Sequence, residues 1–367
     1  QVEHPQQEIY LIAAAFQAYQ RPAGRVQAQV FLRTADEALS DKYLSATARY
    51  LAMYEKLIGP YPYAKFALVE NFWETGYGMP SFTLLGPTVI RFPFILHSSY
   101  PHEILHNWWG NSVFVDYETG NWCEGLTAYM ADHLIQEGRG TGDEYRRAAL
   151  QKYRNYVREG RDFPLSEFRS RHSAATEAVG YGKTLMGFHM LRRHVGDDVF
   201  RQALVRFNRS FKGKRASFTD LQAVFERESE GDLGWFFEPW VGRAGAPALE
   251  LGTTEVRREG ETFVVSGTIE QIQEGEPFEV EVPVAVGTID GTARTLVRTA
   301  ARSTPFEITT ATAPMNLAVD PQFDVFRLLD PRETPPSIGQ IFGDAQVLAL
   351  IPSAAVGEAQ QRYRDLL

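Results

Sequence analysis

The chain has 367 residues, of which 44% are hydrophobic and 23% charged, and this composition excludes a disordered or low-complexity polymer. The net charge of −9 comes from 46 acidic and 37 basic residues, so we expect no nucleic-acid partner and no attraction to an anionic membrane. The apolar stretches are far shorter than the roughly 20 residues of a transmembrane helix, so the sequence predicts no membrane span.

Cysteine usage and the first residues add two expectations. Cys123 is the single cysteine, which excludes an internal disulfide framework and a structural zinc site built from cysteines. The sequence opens with Gln1 rather than Met, so we expect that a leading segment or domain precedes it in the full protein. The composition indicates a soluble, globular chain; compartment and oligomeric state do not follow from it.

The N-terminal part combines strands with one long helix. Alternating apolar residues predict strands at 8–16 and 25–33, joined by a Pro-Ala-Gly turn. Apolar residues three and four apart predict a helix over 36–57, which ends at Gly-Pro-Tyr-Pro. Short strands at 65–71 and 81–86 then flank a Gly-rich corner, Glu-Thr-Gly-Tyr-Gly-Met-Pro.

The rest of the chain changes character twice. Amphipathic segments predict a mainly helical region from Ser98 to about Val241. Around Pro247 the apolar period becomes two, and turn residues at hairpin spacing predict a small β-sandwich. The sequence therefore predicts an α+β fold. Its regions are the end of an upstream β region (1–35), the helical region with the strands before it (36–243), the β-sandwich (247–330), and a linker with the start of an α/β tail (331–367).

The most informative motif is His-Glu-x-x-His. His102 and His106 are four residues apart, so on a helix their imidazoles project from one face and can donate two nitrogens to a zinc ion. Glu103 can then take a proton from a zinc-bound water, whose pKa the metal lowers to about 7. The alternative is that both histidines fill a helical core beside the neighbouring tryptophans.

A catalytic zinc needs a third protein ligand and an open fourth position. Glu124 stands at the start of the next amphipathic segment, so two facing helices would supply His, His and Glu. Asp116 and Glu118 are rival ligands, but they lie in a predicted loop and suit the support of a ligand better. For Glu124 itself, the alternative is a solvated carboxylate at a helix start.

The strings HEILHNWWGN and WCEG resemble the signature of the gluzincin aminopeptidases, the family of membrane alanine aminopeptidase and leukotriene hydrolase. That signature has eighteen residues between the second His and the Glu, whereas seventeen separate His106 from Glu124. A shorter loop around Thr119 and Gly120 accommodates the difference. The resemblance covers about residues 40–325.

The resemblance implies a fold and several roles. It implies a thermolysin-like, mainly helical catalytic domain followed by a β-sandwich, with one zinc ion as the cofactor. AVGYGKTLMGFHMLRR is similar to the family's Tyr-x-Lys-Gly helix, so Tyr181 is implied to be the catalytic tyrosine, with its hydroxyl aimed at the developing oxyanion. Thr184 stands where the family has Gly. The alternative for Tyr181 is a phenol that only packs or hydrogen-bonds a carbonyl.

One departure from the family concerns substrate binding. Family aminopeptidases carry Gly-x-Met-Glu-Asn, whose Glu accepts hydrogen bonds from the free α-ammonium of the substrate, whereas this chain has Gly78, Met79 and Pro80 followed by a serine. We expect these three residues to form an edge that binds an extended peptide through its backbone. The alternative is a tight corner between strands. Glu70 and Glu74 are candidates to replace the missing carboxylate.

These residues predict a zinc metallopeptidase that hydrolyses a peptide substrate with water activated by Glu103, and an aminopeptidase is the default. Pro80 favours one alternative, an endopeptidase or another zinc hydrolase that requires no free N-terminus. The other alternative is a catalytically inactive scaffold, against which the complete set of site residues argues.

Overall fold

The computed structural model describes residues 9–158, 160–334, 336–343, 357–358 and 361–362. They have an α+β fold in which a mixed sheet comes first, helices follow, and two antiparallel sheets come last. The strands are β1 (Gln17–Ala23), β2 (Val26–Leu32), β3 (Lys65–Glu70), β4 (Gly76–Met79), β5 (Phe82–Leu85), β6 (Phe114–Val115), β7 (Arg215–Ala216), β8 (Leu249–Glu259), β9 (Thr262–Gln271), β10 (Val280–Thr288), β11 (Gly291–Thr299), β12 (Ser303–Thr310) and β13 (Pro314–Val319).

The helices pack between and beside these sheets. They are α1 (Glu37–Ile58), α2 (Ser99–Leu105), α3 (Cys123–Ala128), α4 (Leu134–Gly138), α5 (Gly142–Tyr156), α6 (Ala174–Glu177), α7 (Thr184–Val195), α8 (Asp197–Phe211), α9 (Phe218–Ser229), α10 (Gly234–Gly242) and α11 (Ile338–Gly343). Two π-helical segments, Tyr129–His133 and Ala178–Lys183, continue α3 into α4 and α6 into α7.

The first sheet has the strand order β1-β2-β3-β5-β4, and α1 packs against it. β2, β3 and β5 run parallel, whereas β4 is antiparallel to β5 and forms an edge. Alternate residues of β2, including Val26, Ala28 and Val30, are buried. Asp36 caps α1 by accepting the N–H of Leu39 at 2.9 Å, and the helix predicted over 36–57 is confirmed.

The strand predicted at 8–16 is wrong for residues 9–16, because β1 begins only at Gln17. The partner strand sets this start: Gln17 pairs with Leu32, the last residue of β2, so residues before Gln17 extend past the end of that strand. Ile9 is accordingly 98% exposed. Residues 9–16 have the apolar alternation of a strand, but in the register of the β1–β2 hairpin they have no residue of β2 opposite them to pair with.

The Gly-rich corner predicted between the two short strands contains β4. Gly76–Met79 pairs with Phe82–Leu85 in a two-residue hairpin. Glycines present no side chains to alternate, which is why the sequence pattern did not indicate this strand. β1 and β2 belong to the same sheet as β3, so the sheet continues across the boundary predicted between residues 35 and 36.

Two three-stranded sheets follow the helices, with the strand orders β11-β10-β13 and β12-β9-β8. The apolar period of two predicted after Pro247 is confirmed in β10, where Val280, Val282, Val284 and Val286 are buried. Apolar residues of both sheets and of the helices form one continuous core.

Two further expectations concern the tail and the membrane. Most of the linker and α/β tail predicted over 331–367 lies outside the described residues. Of the described helices, none has both the length and the apolar character that a bilayer crossing requires.

Candidate active site

His102 and His106 face the same way because His102 lies in α2 and His106 caps the C-terminus of that helix one turn later. The N–H of His106 donates to the carbonyl oxygen of His102 at 3.1 Å, and the two ring centroids are 4.7 Å apart. The other side of α2 is buried through Tyr100, Ile104 and Leu105. The helix contacts α1, α3, β4 and β5, so the histidine face lies between the sheet edge and α3.

Glu124 approaches both imidazoles from the first turn of α3. Its Oε2 lies 3.5 Å from Nε2 of His102 and 3.4 Å from Nε2 of His106. Two ligands of a tetrahedral zinc, each about 2.0–2.2 Å from the ion, lie about 3.4 Å from each other, so this donor set fits zinc. The structure therefore brings the three predicted ligands together, and in the described part of the chain they are the group that could hold a metal.

The second nitrogen of each imidazole has its own partner. Nδ1 of His102 lies 2.9 Å from Oδ2 of Asp132, and Nδ1 of His106 lies 3.1 Å from the carbonyl oxygen of Trp109. Both partners are acceptors, so each accepts the Nδ1 proton in a hydrogen bond and directs Nε2 toward Glu124. Nε2 can then bind a metal once its own proton is displaced.

Asp132 was missed in the sequence, although one signal was present. It follows Glu124 by eight residues, about two helical turns, so both carboxylates lie on one side of the predicted helix. Asp116, considered for this supporting role, instead accepts the N–H of Glu118 within their own loop at 3.3 Å. Neither Asp116 nor Glu118 belongs to the His-His-Glu group.

Burial and charges within the site shift the pKa values of its side chains. Burial lowers the pKa of His102, but the carboxylates of Asp132 and Glu124 together outweigh burial and raise it to about 9. Burial alone would raise the pKa of Glu124, yet His106 and hydrogen bonds from both imidazoles hold it well below the usual range. Burial raises the pKa of Glu103 against the opposing charges of the histidines. Glu124 is therefore anionic, and Glu103 is the stronger base.

β4 crosses directly over Glu103. A Cβ atom on Gly78 would lie 2.5 Å from Oε2 of Glu103 and 3.4 Å from Cβ of His106, so a larger residue at this position would displace the Glu103 carboxylate. The backbone of the sheet edge therefore runs beside Glu103 and His106.

Pro80 has a structural reason of its own. It is the first residue of the two-residue turn between β4 and β5, and Ser81 follows with a φ of 68°. Proline before a residue with positive φ is typical of a type II turn. Asn107 holds the turn, because its Oδ1 accepts the N–H of Ser81 at 2.7 Å. Met79 packs on the opposite face of the sheet from α2, so this segment meets the site through its backbone.

Tyr181 lies in the π-helical segment before α7 and faces Glu124. Burial, followed by the charge of Glu124 and a hydrogen bond to it, raises the pKa of Tyr181. The ring packs edge-on against Phe168 at 6.0 Å, and Gly180 provides the space, since a Cβ there would lie 2.2 Å from the Phe168 ring. The phenol therefore stays protonated and points into the site.

The two candidates for an amine-binding carboxylate are engaged elsewhere. Oε1 of Glu70 pairs with Arg91 at 2.8 Å, and its Oε2 accepts the N–H of Arg33 at 2.7 Å. The carboxylate of Glu74 accepts the N–H of Thr88 at 2.9 Å. Neither residue therefore replaces the glutamate that Pro80 displaces.

Comparison with known proteins agrees with this geometry. Residues 97–240 match the sequence profile described as "Peptidase family M1 domain". Aminopeptidase B of Mus musculus is 33% identical over 284 residues, covering 67% of this chain and 41% of the relative. "Aminopeptidase 2, mitochondrial" of Saccharomyces cerevisiae is 22% identical over 277 residues, covering 67% of this chain and 28% of the relative. The chain thus spans less than half the length of these relatives.

The fold is similar to that of Legionella pneumophila aminopeptidase A, solved in complex with aspartic acid. The TM-score is 0.70 at 17% identity, covering 89% of this chain and 39% of the other. Together with the His-Glu-x-x-His site, these findings place the chain in the class of the metallopeptidase families. Within that class the chain belongs to the gluzincin family M1, and the resemblance seen in the motifs is confirmed.

Replacing Asp132 with alanine tests the support of His102. We expect Asp132→Ala to lower zinc affinity about 10- to 100-fold, because the imidazole loses the acceptor that fixes its tautomer and orientation. Titration against a zinc chelator measures the change. Asp116→Ala is the matched control and should bind zinc like the unmodified protein; equal affinities in both variants would contradict the role of Asp132.

Proposed function

We propose that this protein is a zinc-dependent metallopeptidase in which His102, His106 and Glu124 hold the metal. The observation that carries the proposal is that Oε2 of Glu124 lies 3.5 Å and 3.4 Å from the Nε2 atoms of His102 and His106, with the three possible ligand atoms within 4.8 Å of one another. Membership of a peptidase family supports it. When bound, zinc would polarise a carbonyl and lower the pKa of water to about 7.

Glu103 is the proposed general base. It neighbours the ligand His102 on α2 but is not part of the metal-holding group. Because burial raises its pKa, its carboxylate accepts a proton from the attacking water more readily than an exposed glutamate would. The same carboxylate can then return the proton to the leaving amine.

Tyr181 is the proposed stabiliser of the oxyanion. Its phenol faces Glu124 and remains protonated, since burial and the Glu124 charge raise its pKa. A fixed O–H donor beside the metal-binding carboxylate can hydrogen-bond the oxygen on which charge develops as the carbonyl is attacked.

The edge strand β4 is the proposed platform for the peptide. It pairs with β5 on one side and is the last strand of its sheet, which leaves its other edge for an extended substrate. Gly78, Met79 and Pro80 contribute backbone rather than charge. Because Gly78 lies over Glu103, a peptide added to this edge would pass next to the base.

The proposal extends to the domains. Residues 36–243 would form the thermolysin-like catalytic domain, and we add β1 and β2 to it because they share its sheet. Residues 247–330 would form a β-sandwich domain, and 331–367 a linker and the start of an α/β tail.

Two kinds of peptide hydrolysis are candidates. The names of the relatives, aminopeptidase B and aminopeptidase 2, favour an aminopeptidase. The residues at the substrate edge favour a peptidase that needs no free N-terminus, because Pro80 lacks a carboxylate while Glu70 and Glu74 are engaged elsewhere.

Glu103→Gln separates catalysis from metal binding. We expect peptide hydrolysis to fall about 10²- to 10⁴-fold because the general base is lost. Zinc content, measured by elemental analysis, should stay at one ion per chain. Glu118→Gln is the control and should retain activity. A Glu103→Gln protein as active as the control would rule out the proposed base.

Gly78→Ala tests the contact between β4 and the base. The added methyl group would lie 2.5 Å from Oε2 of Glu103, so the carboxylate must move. A displacement of about 1 Å can cost about 100-fold in kcat, and we expect a loss of this size with zinc retained. Gly76→Ala is the matched control, since its nearest neighbour would be Leu85 Cδ2 at 3.8 Å. Similar kcat values for both variants would contradict this placement.

Acetylated peptides distinguish the two candidates. We expect N-acetylation to lower kcat/KM less than about tenfold, because the lost ammonium has no charge-assisted partner at Pro80. Paired free and acetylated peptides of one sequence provide the measurement. A fall of about 100-fold or more would instead establish an aminopeptidase and require another carboxylate at the amino end.

A further inference from the structure

A short cationic loop lies beside Tyr181. It runs from the 3₁₀ turn Leu165–Glu167 to α6 and carries Arg169 and Arg171. The N–H of Asn121 donates to the carbonyl oxygen of Phe168, and its Nδ2 donates to that of Arg169, both at 2.9 Å. Because Asn121 is three residues before Glu124, the loop is tied directly to the segment that carries a metal ligand.

Both ends of this loop are fixed. At the first end, Phe168 is buried against the ring of Tyr181, at 6.0 Å between centroids. At the other end, Ser173 caps α6 by accepting the N–H of Thr176 at 3.1 Å, in a reciprocal capping box. Arg171 lies between these anchors, and its guanidinium carbon is 5.9 Å from the centroid of the Tyr181 ring.

The two arginines of the loop differ in what they bind. The guanidinium of Arg169 donates to the carbonyl oxygens of Ser166, Phe168 and Glu118 at 2.7–3.1 Å. Arg171 instead lies 3.5 Å from Oε2 of Glu177, and its side chain is 58% exposed.

The charge beside Arg171 is incompletely balanced. Glu177 also pairs with Lys152, so two cations share one carboxylate. An exposed guanidinium at a long ion-pair distance keeps donors for a second acceptor, and its planar fork matches a carboxylate.

We propose that Arg171 is a specificity-determining residue that binds a carboxylate of the substrate on the Tyr181 side of the site. This inference rests on the proposed peptide hydrolysis. The carboxylate is either the C-terminal group of a short peptide or an Asp or Glu side chain, and both present the same two oxygens to the guanidinium.

Binding to a protein that cannot turn over tests the inference apart from activity. The zinc-loaded Glu103→Gln protein is titrated calorimetrically with trialanine as the free acid and as the C-terminal amide. A second pair, Ala-Asp-Ala amide and Ala-Asn-Ala amide, tests the side-chain source. We expect the carboxylate member of at least one pair to bind about tenfold more tightly, a value reduced for solvent exposure.

The variants assign that preference to Arg171. Adding Arg171→Gln should remove the preference, and Arg171→Lys should restore part of it because the charge remains. Arg201→Gln, on the exposed part of α8, is the control and should keep it. Equal binding within both pairs, no binding of any peptide, or a preference that persists in Arg171→Gln would overturn the proposal.

Hydrolysis is measured separately with Glu103 in place. If carboxylate preference depends on Arg171 but no peptide is hydrolysed, the role of Arg171 is supported and the proposed function is contradicted. If peptides are hydrolysed but no such preference is found, the proposed function is supported and the role of Arg171 is contradicted.

Discussion

Three electron-pair donors pointing at one place are the constraint on which this structure depends. Oε2 of Glu124 lies 3.5 Å from Nε2 of His102 and 3.4 Å from Nε2 of His106, in a site where each side chain is at most 24% exposed. Such donors repel one another unless a cation or protons lie between them. The raised pKa of His102 and the lowered pKa of Glu124 express this requirement for positive charge. A bound metal would meet it while displacing protons from the imidazoles.

Two π-helical segments place the groups around these ligands. One carries Asp132 and the other carries Tyr181, and π-helical turns are frequent at functional sites because they redirect side chains within a helix. The close packing of α3 against α7 brings the two segments together. It requires Gly125 on α3, because a Cβ atom on Gly125 would lie 2.2 Å from Cβ of Thr184 on α7. The threonine that replaces a family glycine is thus accommodated by a glycine on the facing helix.

The juxtaposition of the two candidate histidines could be predicted because its geometry is local. A spacing of four residues places His102 and His106 on one face of any helix, whatever the rest of the fold. The spacing before Glu124 is one residue shorter than in the family signature, yet Glu124 still reaches both imidazoles. In the loop before it, Gly120 has a φ of 118°, and a Cβ there would lie 2.5 Å from the carbonyl oxygen of Leu165. The buried valines of β10 followed in the same way from the period of a strand.

Features that depend on distant partners could not be predicted in this way. Asp132 has a role only because α2 and the helix after Glu124 face each other, and neither segment contains that information alone. β4 was missed because its glycines carry no pattern, although those glycines let the strand pass over Glu103. Residues 9–16 have the alternation of a strand but lie past the end of β2. Local periodicity thus predicted helices, strands and the candidate histidine pair. The pairing of strands and the contact between Asp132 and His102 could be seen only in the folded structure.

X-ray absorption spectroscopy of the zinc-loaded protein examines the metal centre most directly. We predict one zinc ion per chain, with two imidazole nitrogens and one carboxylate oxygen at about 2.0–2.2 Å and a water oxygen as the fourth ligand of the tetrahedron. Replacing His106 with alanine should remove one imidazole from the spectrum. A zinc shell without imidazole signals, or a protein that binds no zinc in excess metal, would contradict the metal centre from which the proposed chemistry follows.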